Sequence, residues 1–410
     1  MNNIRTRVGP LNGLRVLDLT RVISGPYATM MLADMGADVV KIEEPLRGDE
    51  MRWIKYKGRA AYDEDYFYAS NRSKRSITLN MKDPDNQQVA RDLAAKADVL
   101  IENYAPGVAE RLGMGWADLS ALNTRLIYCS ISGFGQTGPY RSRPALDPII
   151  QALSGVMSVT GYEDQGPLKI GAPLADVISG MFAAFSISCA WTATKESGKG
   201  QYIDVSMQDA MMAVLGPRMG ESLQANINPG RHGNATAARV PADTYLTKDG
   251  RHLTIMVLND TMWEPFCKAM EKPEWFSNCD YKTGRDRVLH KEELNQLVAE
   301  EFRMKSAAEW EKRLEMHRIP YGFVNTYLDA IRDPQVLHRG LIKKITHPVS
   351  GDISVVGAPW KMSDFENNPA PPPLLGEHTS EVLQEWLCWP ESKAGEFSEV
   401  QRTLRNERQE

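Results

Sequence analysis

The spacing of a disulfide framework or a zinc site is missing from this sequence. Its five cysteines, Cys129, Cys189, Cys267, Cys279 and Cys388, are odd in number and far apart, with no CxxC and no Cys/His cluster. That pattern fits idle or buried thiols in a reducing compartment and leaves no metal centre to expect. Charge of one sign is missing too. The net charge is -5, with acids and bases mixed along the chain. No broad basic field is available to recruit nucleic acid. Met1 to Pro10 carries two arginines but no apolar core or cleavage site, so no secretory signal is read there. One uncharged run, Val177 to Thr194, approaches the length of a membrane span. It contains Gly180 and several hydroxyl residues and lacks basic flanks at both ends, which fits a helix buried in a large soluble domain. A cytoplasmic protein with no membrane partner is expected.

What is present is length and alternation. A chain of 410 residues is too long for one small core and points to two domains, or to one with another inserted. Leu14 to Leu19 reads as a strand, Tyr27 to Met35 as a helix closed by Gly36, and Asp38 to Glu43 as a second strand. Gln87 to Ala97 then reads as a helix, and Asp98 to Glu102 and Arg125 to Ile131 as strands. Alternation of this kind predicts an α/β fold with a mainly parallel sheet. After the uncharged helix come Gly200 to Val205 and a helix from Met207 towards Leu223. Asn226 to Arg239 breaks the pattern and marks a linker. Beyond it, a strand at His252 to Val257 and amphipathic helices near 261–270, 292–302 and 307–316 predict a smaller α+β domain. A further strand is expected at Asp352 to Val356. The division expected is 1–225, 226–330 and 331–410.

Three places could carry chemistry. Gly133 to Gly138 (GFGQTG) follows a strand, but Pro139 and a poor helix start follow it, and no acid stands where a ribose would need one. A turned loop whose backbone lies close to a ligand is the better reading. Asp176 follows Pro173 at the head of the uncharged helix, where backbone N–H groups and the helix dipole would keep it ionised. Most such aspartates are only caps, so position alone leaves both roles open. Asn71 to Ser76 and Glu102 to Gly107, leading to Arg111, set cations and polar groups at strand ends. Open α/β sheets bind ligands at such ends, though for each residue taken singly solvated surface charge is the more ordinary role.

The order of these strings is informative. GLRVLDLTRVISGPYATMMLADMGADVVKIE (13–43) resembles the opening of the class III CoA-transferases, the CaiB/BaiF family. The resemblance continues through Lys74-Arg75-Ser76-Ile77, Glu102 to Gly107, Ser132 to Pro139, Gly198 to Gln201, Gln208-Asp209-Ala210, Gly357-Ala358-Pro359 and Leu375 to Thr379. It implies a Rossmann-like large domain built from both chain ends, a small domain from the middle, and an interlocked homodimer. It also implies a CoA thioester as substrate, a free carboxylic acid as acceptor, and no permanently bound cofactor. The family's nucleophile falls on Asp176. Contacts to CoA fall on Val22, Lys74 or Arg75, Asn103, Tyr104 and Arg111, and an oxyanion loop on Gly133, Phe134, Gly135 and Gln136. Short dicarboxylates such as succinate are the implied acids, with Arg47, Arg52, Arg141, Arg143, His232 and Arg239 as candidates for a second carboxylate. Formyl-CoA transferases differ, having a glutamine where Ile23 stands and a tetraglycine loop with no counterpart near Asn234 to Val240.

Two other readings share the resemblance. α-Methylacyl-CoA racemases carry a proton-exchanging histidine in a Gly-His-Asp string. Here the string is Ala145-Leu146-Asp147, and leucine exchanges no proton; Asp147 reads as a structural cap. A non-catalytic CoA-binding protein would have no need of Asp176.

Overall fold

The computed structural model describes residues 9–54 and 64–406. Residues 1–8 of the N-terminal stretch read for a signal lie outside them. The chain separates into two compact units. The first takes in the chain up to Val156, Lys169–Leu223, and everything from Gln335 onward; the second is Met157–Leu168 with Gln224–Pro334. Residues 157–168, assigned by sequence to the first division, therefore group with the second unit.

In the first unit, β1 (Arg15–Asp18), β2 (Asp38–Glu43), β3 (Arg75–Thr78), β4 (Val99–Glu102), β5 (Ile127–Ser132) and β6 (Gln201–Ser206) form one sheet. Every neighbouring pair is parallel, in the order β3-β2-β1-β4-β5-β6. This is the strand order of dinucleotide-binding folds, in which the direction of winding reverses between β1 and β4. Strands β3, β4 and β5 are buried along their whole length, as a parallel sheet covered on both faces requires. On one face Leu17, Val40, Ile77 and Leu100 pack with Val89, Leu93, Val382, Leu383 and Trp386.

Four helices flank the sheet or the carboxyl ends of its strands: α1 (Ser24–Asp34), α2 (Asp147–Leu153), α3 (Leu174–Ser197) and α4 (Thr379–Leu387). Helix α3 is the uncharged run, longer by three residues at each end than the sequence suggested. It begins after Pro173 and stops where Gly198 turns left-handed (φ +70°). It is long and apolar enough to cross a membrane. Here it packs along α1, where small residues allow close approach: a Cβ at Gly180 would lie 2.5 Å from the Ser24 carbonyl oxygen.

The C-terminal segment returns to the edge of the sheet. Arg75 on β3 pairs with Glu381 and Glu385 of α4 at 3.1 and 2.6 Å, and Thr78 N–H donates to Thr379 Oγ1. A hairpin of β7 (Ile342–His347) and β8 (Gly351–Val356) closes a small cluster with Met51, Phe67 and Tyr68, against which Val22 and Ile23 pack. Only its second strand was expected. The other unit has a three-stranded antiparallel sheet, Ala242–Leu246, His252–Met256 and Tyr321–Phe323, over a core that includes Trp263, Phe266, Phe302 and Trp310.

Candidate active site

The loop after β1 lies at the reversal of winding, where such sheets bind ligands. It contains Val22 with φ +69°, a conformation that a β-branched residue adopts at a cost of about 1–3 kcal/mol. Four neighbours hold it. Asp49 Oδ1 accepts the Val22 N–H at 3.2 Å, and Lys41 Nζ donates to Thr20 O at 2.6 Å while pairing with Asp49 at 2.9 Å. Asp18 accepts Thr20 N–H at 2.9 Å. Asn103, from the end of β4, accepts Arg21 N–H at 2.8 Å and donates to Arg21 O at 2.7 Å. Its amide is therefore occupied with shaping the loop. Tyr104 follows, with the Arg21 guanidinium 5.0 Å from its ring centre and its own N–H donating to Glu102. Burial pushes the Glu102 carboxyl up to about 7. Val22 is in this loop, and Asn103 and Tyr104 lie against its Arg21. Arg111 is exposed and reaches back towards Gly107.

Lys74 and Arg75 correct the sequence reading. The Lys74 ammonium is buried and bonded to Asp18 Oδ2 (3.2 Å), Pro26 O (2.9 Å) and Asn71 Oδ1 (2.8 Å). Burial brings it down to about 8, against the pull of Asp18. Arg75 is committed to Asp38, Glu381 and Glu385. Lys74 neutralises a buried carboxylate and Arg75 is shared among three partly exposed ones, so both are already engaged within the protein. Arg52 is likewise spent, on Glu43 and Glu64 at 2.7 and 2.6 Å. Burial alone would raise Glu43; Arg52, helped by Lys41 and Ser76, outweighs it and holds Glu43 at about 2. Arg47, Arg141 and Arg143 remain exposed. His232 and Arg239 belong to the second unit.

Asp176 stands at the third residue of α3, not at its cap; Pro173 holds that position. The N–H groups expected to serve Asp176 go elsewhere. Ala175 N–H and Asp176 N–H donate to Asp147 Oδ2, at 2.8 and 3.3 Å. Asp147 thus caps α3 from outside it, while Gln151 Nε2 donates to its other oxygen at 2.7 Å. Gln151, fully buried, also binds the approach to α3, accepting Ile170 N–H (2.9 Å) and donating to Ala172 O (3.2 Å). The Asp176 carboxyl is pushed up to about 7, first by burial and then by the charge of Asp147. Contrary to expectation, the helix N–H groups of Ala175 and Asp176 therefore do not serve its carboxylate.

The 133–138 loop meets the same place. A Cβ on Gly133 would fall 2.2 Å from that of Ala145, just before α2, and 3.6 Å from Ile150. Gln136 N–H is taken by Asp204 Oδ2 at 2.8 Å, so it is not free for an oxyanion. Gln136 Nε2, by contrast, is buried and has no hydrogen-bond partner among the described residues. Phe134 packs edge-on against Tyr140, with the Arg143 guanidinium 5.8 and 5.2 Å from the two ring centres. Gly180, one turn beyond Asp176 on the same face of α3, lies against Ser24, so the Val22 loop ends on α1 at a level about 6 Å along α3 from Asp176.

A carboxyl with a raised pKa, a loop with an unused donor and the carboxyl ends of the parallel strands thus belong to one unit. The family model described as CoA-transferase family III matches residues 11–379. The chain belongs to this family. This CoA-transferase is 37% identical over 400 residues to human succinyl-CoA:glutarate CoA-transferase, covering 97% of this chain and 90% of the relative. It is also 37% identical over 396 residues to succinate–glutarate CoA-transferase of Agrobacterium fabrum, covering 94% and 98%. The crystal structure of a CaiB/BaiF family protein from Brucella suis matches with a TM-score of 0.82 and 34% identity, over 92% of this chain and 99% of that one.

The residues that sequence reasoning missed are buried supports: Asp18, Lys41 and Asp49 under the Val22 loop, and Gln151 under Asp147. Gln151 had a local signal, since it stands four residues after Asp147 in a helical stretch. Asp49 had none.

Proposed function

We propose that this CoA-transferase moves CoA between short dicarboxylic acids, with succinyl-CoA as donor, and that Asp176 carries the acyl group. The observation that carries this reading is the partly desolvated Asp176 carboxyl at the head of α3, one turn from the ligand-binding loop. Its carboxylate attacks the thioester carbonyl, forming a C–O bond and expelling CoA thiolate. The thiolate then attacks the Asp176 carbonyl of the anhydride, releasing the first acid and leaving an aspartyl-CoA thioester. The incoming carboxylate attacks that thioester, and the returning thiolate takes the new acyl group off. Each step exchanges one activated carbonyl for another, so no ATP, metal or permanently bound cofactor is needed.

Val22, Asn103, Tyr104 and Arg111 are assigned to the CoA side. Gln136 Nε2 is assigned to the oxyanion, since a buried donor without a partner gains most from a charge that develops beside it. Names of relatives support the dicarboxylates: two act between succinate and glutarate, and a third is an acetyl-CoA:oxalate CoA-transferase of Acetobacter aceti. Arg143, held over Phe134 and Tyr140, is the cation assigned to the remote carboxylate. Met181, Phe182 and Phe185 leave one side of α3 exposed and apolar, which supports a second copy of the chain packing there as an interlocked homodimer. We place the enzyme in the cytoplasm.

The test is mass spectrometry after mixing the protein with succinyl-CoA, alone and with glutarate or other free acids. A covalent adduct on Asp176 and exchange of CoA among dicarboxylates are expected; absence of both would refute the reading. Proton exchange at the α-carbon in deuterated water would instead mark a racemase. Leu146, 70% exposed at the head of α2, offers no group to do it.

A further inference from the structure

We propose that Asp147 is the positioning residue of the acyl-carrying carboxylate: by capping α3 itself, it denies Asp176 the helix N–H groups and leaves that carboxylate a stronger nucleophile. The inference rests on the reading of Asp176 as the nucleophile.

A carboxylate in the first turn of a long helix is ordinarily stabilised by the free N–H groups there, and one at the third position reaches back to the N–H of the cap residue, which Pro173 lacks. Hydrogen bonds to the charged form stabilise it and lower its basicity. In α3 that option is closed. Both Ala175 N–H and Asp176 N–H point to Asp147 Oδ2. Asp147 cannot swing away, because Gln151 holds its Oδ1, and Gln151 is itself fixed by Ile170 N–H and Ala172 O. One carboxylate is fully solvated by the protein while its neighbour is left poorly solvated.

The consequence for chemistry comes from charge. Free Asp176 is an anion beside another anion, in a partly dry site. Once its oxygen bonds to the acyl carbon and CoA thiolate departs with the negative charge, Asp176 is neutral in both the anhydride and the thioester. The repulsion from Asp147 is present before attack and relieved after it, so it favours the covalent forms. Among the described residues, Asp147 is the charged group that acts on Asp176. From α1, Tyr27 packs against Gly180, and its hydroxyl responds to Arg72 and Asp34 instead.

The experiment is rapid-quench mass spectrometry of adduct formation on Asp176 from succinyl-CoA, between pH 5 and 9, for the wild type, Asp147→Asn and Asp147→Glu. In the wild type the rate should fall about tenfold per pH unit below about 7, tracking the ionised fraction. Asp147→Asn removes the charge and keeps an acceptor. Its acidic limb should move down by about one unit or more, and its plateau rate should drop about tenfold, with acyl-CoA affinity kept within about twofold. Asp147→Glu should keep the limb near the wild-type position. An Asp147→Asn profile that matches the wild type in limb and plateau would overturn the proposal. Should that variant fail to fold, the wild-type limb decides: a limb below pH 5 overturns it. Absence of any wild-type adduct refutes Asp176 as nucleophile, a different result, and the proposal falls with it.

Discussion

Replacing Asp176 by asparagine should abolish CoA transfer and yet make the protein more stable at neutral pH. The unfolded chain titrates this carboxyl near 3.8, and the folded protein near 7. A raised carboxyl pKa means that the folded state keeps a proton which the unfolded state has already released. Folding therefore takes up a proton between about pH 4 and 7, and stability from this group is lost as pH rises through that window. Below it the cost is absent; above it the cost is complete. The difference of about 3 units corresponds to a ceiling of roughly 4 kcal/mol. Asp176 is only partly buried, and water near it reduces the expected cost to about 2 kcal/mol. Asparagine has the same shape and no charge, so Asp176→Asn recovers that amount above pH 7, roughly a third of it at pH 5 and little below pH 4. Thermal unfolding at pH 5 and pH 8 reads it as a rise of about 2 °C at pH 8 and a clearly smaller one at pH 5. Equal melting temperatures at pH 8, or a gain of the same size at both pH values, would refute the electrostatic reading.

Three other substitutions probe the packing and the cations. Gly180→Val should cost about 1–3 kcal/mol by overpacking, because the obstructing atom is the backbone oxygen of Ser24 and cannot rotate aside; calorimetry should also show weaker acyl-CoA binding as the Val22 loop is displaced. Lys74→Met should lower stability by about 3 kcal/mol by stranding Asp18; unchanged unfolding with a salt-dependent loss of CoA affinity would restore Lys74 as a phosphate contact. Arg143→Ala should raise KM for succinate and glutarate about tenfold or more and leave KM for a monocarboxylate unchanged in steady-state assays; equal effects on both acids would remove it from recognition of the remote carboxylate.

The sheet was legible because its strands are short apolar runs between helices, and β2 falls on the six residues expected. The long helix was legible from lack of charge. The edges of the second unit were not, because the 157–168 segment joins it through contacts with residues some seventy positions later, as between Arg231 Nε and Tyr162 O. The first strand of the C-terminal hairpin, IKKITH, was missed because its polar positions hide the alternation. At the site, residue types were legible and allegiances were not. Lys74 and Arg75 look like phosphate ligands in sequence because nothing local reveals that Asp18, Asp38 and α4 claim them. Asp176 was read at the right helix end, but the competitor for its N–H groups stands 29 residues earlier.

The return of α4 to β3 bears on how the chain is made. Arg75 and the carboxylate of Glu381 are 306 residues apart. At about 5–20 residues per second of synthesis, β3 leaves the ribosome roughly 15–60 s before the segment that covers it. During that time the edge of a parallel sheet, with Leu17, Val40 and Ile77 beneath it, is exposed to any other unfinished strand. The nascent chain is then a natural client for a holding chaperone, and shortened chains that end before Thr379 should accumulate as insoluble protein rather than as a smaller folded enzyme.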